Sequence, residues 1–245
     1  SHALEQRVEQ AVWRKIHLAP VHYQPVVQEN QDALWARMLL AHKLDWQTLR
    51  KFMLYAFSDA ATLEHHCSNP DSPYIQAQRV IRDTLLGALD SLAIKSAPVV
   101  CCAHSLGCQV LSNYIWDAQR GQGLWALEPR DELTPAERRF ARLGTLRLLL
   151  TTGCNIPFFV SGLDEIVAIE RPRDDFEWHN FYDRDDVLGW PLKPLSRSYE
   201  RLVTSDRQIN SGSLLTSWNP ASHNGYWSDR DFIQPAAGLI DEVAD

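Results

Sequence analysis

The sequence predicts an α/β fold with a mostly parallel central sheet and helices on both of its faces. Three observations predict it. Pro98–Cys102 and Thr145–Thr152 are continuous apolar runs, as expected of strands covered on both sides. The segments before and between them carry apolar residues at helical intervals. The two patterns alternate along the chain, as parallel strands joined by helical crossovers require. At 245 residues, with 45% hydrophobic and 22% charged residues, the chain can bury the core of one such domain over 1–245.

Each element follows from local pattern. Leu4, Val8, Ala11, Val12 and Ile16 make Leu4–Ile16 a helix, and Val21–Val27 reads as a short strand broken by Pro25. Asp32–Leu44 and Trp46–Leu63 are helical, with Asp32 and Asp45 as caps. Asn69–Pro73 is a turn-rich loop, followed by a helix over Tyr74–Leu92. Past the first apolar strand, Leu106–Gln119 places Val110, Leu111, Tyr114 and Ile115 on one helix side. Gly121–Thr134 reads as an inserted loop and Pro135–Leu143 as the start of another helix. Phe158–Val160, Trp178–Tyr182 and Leu202–Ile209 are strand candidates, and Asp229–Val243 closes the chain with a short helix after Pro235. Residues 32–63 and 121–140 fall off the sheet and are candidate cap segments, with Trp35, Trp46 and Trp125 as their apolar content.

Charge and cysteine usage exclude some classes. A formal net charge of -7 argues against a nucleic-acid binder, which usually shows a basic face. No apolar run reaches the roughly 20 residues of a transmembrane helix, and Leu4–Ile16 lacks the uncharged core of a signal peptide. Five cysteines (Cys67, Cys101, Cys102, Cys108 and Cys154) read as buried thiols of a reducing, cytoplasmic compartment. Their spacing matches no metal site, and His65-His66-Cys67 has no second cluster to complete one.

The chemistry centres on Ala103-His104-Ser105-Leu106-Gly107, which has the form of a nucleophile elbow with Ala in the first position. A serine on a tight strand-to-helix turn needs small neighbours two residues away, and it then stands at the positive end of the helix. The Leu106 amide would donate to a developing oxyanion. The pattern alone is common, but here an apolar strand ends at Cys102 and an amphipathic helix starts at Leu106. The competing reading is a serine that merely caps the helix. For the base, His223 lies in a turn-rich loop near the end of the chain, whereas His179 sits inside a strand. For the acid, Asp183, Asp185 and Asp186 crowd the end of Trp178–Tyr182. Asp186 ranks first because Val187 and Leu188 turn back toward the sheet; Asp185 ranks second and Asp164 third.

Five stretches occur in order: 103–107, Thr152-Gly153-Cys154-Asn155-Ile156-Pro157, Asn180–Asp186, Leu188–Leu195 and Ser222–Trp227. Together they resemble uncharacterised bacterial α/β-hydrolases and, more distantly, the lipase-like and DDHD-type phospholipase branch. The resemblance spans Pro98 to Trp227. It implies a Ser105–His223–Asp186 triad: the acid precedes an apolar-small-aromatic-x-Leu-x-Pro-Leu stretch, which favours Asp186 over Asp185. It implies no cofactor and no metal. Members also begin with an apolar strand ending in His-Gly that gives a second oxyanion donor, and no such strand precedes Leu4. The expected partner is a small-molecule carboxylic or lipid-like ester, which an apolar cap would suit. Acyl transfer to another acceptor and a non-catalytic binding module on the same fold are the alternatives.

Overall fold

The computed structural model describes residues 2–62, 69–128, 132–210, 223 and 225–244. It has an α/β architecture. Four parallel strands lie in the order β1 (Val99–His104), β2 (Leu146–Thr152), β3 (Glu177–Asp183) and β4 (Ser205–Ile209). β2 sends Leu149 to one face and Leu148 and Leu150 to the other, and all three are buried. Such double burial is why this strand reads as one unbroken apolar run.

Helices cover both faces. On the Leu149 side lie α3 (Pro73–Ser91) and α4 (Leu106–Arg120), which bring Ile81, Val110, Tyr114 and Ile115 into the same core as Trp178. On the Leu148 side lies α8 (Arg230–Ala244), with Phe232, Ile233 and Ala237 packed beside Phe181 and Ile209. The helical pair α1 (Pro25–Ala41) and α2 (Gln47–Thr62) precedes α3. The shorter helices α5 (Pro135–Ala141), α6 (Ile156–Val160) and α7 (Arg197–Leu202) sit between strands. Local chemistry sets several boundaries. The Ser72 side chain accepts from the Ile75 amide ahead of Pro73, Thr134 and Glu137 form a capping box, and left-handed Gly121 ends α4. No helix among the described residues is long and apolar enough to cross a membrane.

Several expectations are corrected. Val21–Val27 is not a strand: Pro25 begins α1, because a fixed φ and a missing N–H suit the first helical position. Phe158–Val160 is helical for the same reason, with Pro157 in the first turn of α6. Leu4–Ile16 breaks into two single turns, His2–Glu5 and Gln10–Trp13. Between them the Glu9 amide donates to Asp241 of α8 at 3.0 Å, so docking overrides local periodicity. The final helix starts at Arg230 and runs through Pro235. Leu202 ends α7, an element the sequence reading lacked, and the strand begins only at Ser205. The insertion at 121–134 holds one helical turn, Leu124–Leu127. His65-His66-Cys67 and the residues 211–222 and 224 of the His223 loop lie outside the described residues.

Candidate active site

The candidate residues meet above the carboxyl ends of β1, β2 and β3. Ser105 follows the last residue of β1 with φ 53 and ψ -127, a backbone state that a side chain makes costly. Its amide donates to the Thr152 carbonyl at 3.0 Å, which extends the β1–β2 pairing one step past the strand. Its hydroxyl caps nothing in α4. Instead, Ser105 Oγ lies 2.6 Å from His223 Nε2, and His223 Nδ1 lies 2.8 Å from Asp186 Oδ2. Three groups separated by 37 and 118 residues thus form one hydrogen-bonded line. The helix-capping reading of Ser105 does not hold.

The surroundings fit that line closely. His223 and Asp186 are both buried. Gly153, with φ +52, leaves room for the imidazole: a Cβ there would stand 2.9 Å from His223 Cε1. A Cβ at Gly189 would stand 2.7 Å from Asp186 Oδ2. The other carboxylate oxygen, Asp186 Oδ1, accepts from the Leu188 amide at 3.0 Å, and Oδ2 also accepts from the Tyr226 hydroxyl at 2.8 Å. Burial opposes the charge on Asp186. Hydrogen bonds from His223, Leu188 and Tyr226 outweigh it and hold the carboxyl below its ordinary range. Asp185 and Asp164 are exposed, and the buried Asp183 turns Oδ1 to the Asp185 amide at 2.9 Å. Of the candidate acids, Asp186 is the one that reaches the imidazole.

His104 packs beside this line, its ring centroid 4.6 Å from that of His223. Burial, reinforced by the neighbouring imidazole, pushes its pKa down to about 4, so it is neutral at physiological pH. Its Nδ1 lies 3.0 Å from Thr152 Oγ1. Leu106 opens α4, and its amide is one of the first four helical N–H groups, which have no acceptor within the helix.

A cleft of about 1600 Å³ opens over Ser105 and Leu106. α2 contributes Met53 and Phe57, α4 contributes Trp116, and the α6 region contributes Phe158, Phe159 and Leu163. Of the cap residues expected from sequence, Trp35 lines the cleft, Trp46 is 77% exposed and Trp125 is buried in the core against Tyr114. The described residues of 121–140 line none of it. Among the described residues, no group of three or more His, Cys, Asp or Glu side chains is placed to hold a metal ion.

Tyr226, His104, Gly153, Gly189 and the α6 wall were not singled out from sequence as site residues. Tyr226 carried the nearest signal, standing three residues after the candidate base. Comparison with known proteins gives no family model, no curated protein and no solved structure that matches the chain.

Proposed function

We propose that this chain is a serine hydrolase of the α/β-hydrolase type that cleaves carboxylic esters with apolar acyl groups. One observation carries the reading: a serine held at positive φ on a strand-to-helix turn, 2.6 Å from an imidazole whose other nitrogen is 2.8 Å from a buried carboxylate. In acyl transfer, Ser105 Oγ attacks the ester carbonyl while His223 Nε2 takes the hydroxyl proton. The Leu106 amide donates to the oxyanion. Collapse breaks the bond to the alcohol, which leaves with the proton from His223. Water then attacks the acyl-serine, giving its proton to His223, and the acid departs as that proton returns to Ser105. Asp186 orients the imidazole and favours its charged form throughout.

The apolar cleft wall supports the substrate class. Phe57 and Phe158 are 66% and 53% exposed, and both face the cleft, where water would otherwise cover them. A fluorophosphonate probe should label the protein at Ser105, and Ser105→Ala should abolish labelling and lower ester hydrolysis by about 10⁴-fold or more. With p-nitrophenyl esters, kcat/KM should rise from acetate to octanoate. A flat chain-length profile removes the apolar-acyl element. A folded protein that does not label removes the hydrolase reading and leaves the binding module in its place.

A further inference from the structure

The hydroxyl of the fully buried Tyr226 is held between two groups that fix the direction of its proton. The Asp183 amide, at the end of β3, can only donate, and at 2.9 Å it takes a lone pair of the hydroxyl. The hydroxyl proton is left for Asp186 Oδ2, the oxygen that also meets His223 Nδ1. Burial, then the adjacent carboxylate, push the Tyr226 hydroxyl far above its ordinary pKa, so it remains a donor at every working pH.

The two groups on Oδ2 come from one short stretch of chain. Tyr226 lies in the single 3-10 turn Gly225–Ser228, which folds its ring back under His223 toward the same oxygen. The space is reserved for this: a Cβ at Gly189 would stand 2.8 Å from the Tyr226 hydroxyl as well as against Oδ2. The resulting path, from the Asp183 amide to Tyr226, Asp186 and His223, is anchored in the sheet at one end and reaches Ser105 at the other.

From this geometry we infer that Tyr226 is a positioning residue, which fixes the Asp186 carboxylate and moderates the charge that the carboxylate exerts on His223. The inference rests on the hydrolase reading above. A carboxylate that shares its charge with a phenolic proton pulls less strongly on the imidazole proton. Without that donor the protonated imidazole is favoured, and the neutral base forms only at higher pH. The buried Asp183 amide also loses its acceptor.

The test is the pH dependence of fluorophosphonate labelling at Ser105 in the wild-type chain, Tyr226→Phe, Asp186→Asn and the double variant. Phenylalanine keeps the ring volume. Tyr226→Phe should label about 10-fold more slowly near neutral pH, with its acidic limb moved to higher pH. The double variant should be no slower than Asp186→Asn alone, since Tyr226 acts through that carboxylate. Gly189→Ala, which keeps the tyrosine but wedges a methyl between hydroxyl and carboxylate, should move the limb the same way and serves if Tyr226→Phe fails to fold. An unmoved acidic limb, or a slowing that multiplies that of Asp186→Asn, overturns the role of Tyr226. Equal labelling of wild type and Tyr226→Phe removes this inference alone, whereas an unreactive wild type removes the hydrolase reading beneath it.

Discussion

At the scale of single residues, His104 shows how the candidate site constrains its neighbours. It is buried against His223 with a pKa near 4, whereas an unfolded histidine titrates near 6.5. Between those values the unfolded chain binds the extra proton, so stability falls as pH drops from about 6.5 toward 4. The loss should be of order 3 kcal/mol, read as a falling denaturant midpoint, and His104→Gln should flatten that dependence. A wild-type midpoint that is level across this window counts against a buried neutral His104. Asp186 titrates lower: its stabilisation is whole above the ordinary carboxylate pKa and is lost only in more acidic solution. The residues legible in the sequence are those whose role is written locally. Ser105 has small residues on both sides at a strand-to-helix junction, and His223 sits among turn residues. Asp186 was separable from Asp183 and Asp185 only through the apolar pair after it. Tyr226 and Gly153 were not legible, because their roles arise from contacts with residues 40 and 70 positions away, respectively.

At the scale of elements, long segments read well and short ones did not. α3 was expected at Tyr74–Leu92 and occupies Pro73–Ser91, because five turns of amphipathic spacing leave little ambiguity. Phe158–Val160 was expected as a strand and is helical, since three apolar residues carry no period that separates the two. α8 is the instructive case. Pro235 halted the predicted helix, yet the buried side chains on both sides of it, Phe232, Ile233, Ala236 and Ala237, hold the helix together through it. Burial there offsets a missing N–H and a ring clash with the preceding turn. Pro235→Ala should restore the hydrogen bond and raise unfolding stability by about 1–3 kcal/mol, with a higher Tm in a thermal melt. An unchanged or lower Tm would mean that the packing is built around the proline ring.

At the scale of the whole molecule, the parallel sheet was legible because its two inner runs are apolar without interruption, and the strand order brings the ends of β1, β2 and β3 together beneath one cleft. That order also leaves β1 at the border of the sheet, with β2 as its one hydrogen-bonded neighbour among the described strands. Border strands usually defend themselves with charge or proline, and Val99-Val100-Cys101-Cys102-Ala103 has neither, while Cys102 is exposed. Main-chain groups on that side can zip onto another extended segment, so purified protein should self-associate as concentration rises, with or without reductant. Cys102→Lys should suppress this in sedimentation velocity runs, and a wild-type chain that stays monomeric at high concentration would show the border to be shielded. The strand that presents the candidate nucleophile is therefore also where the molecule is most open to addition, and whatever pairs there would stand directly beside Ser105.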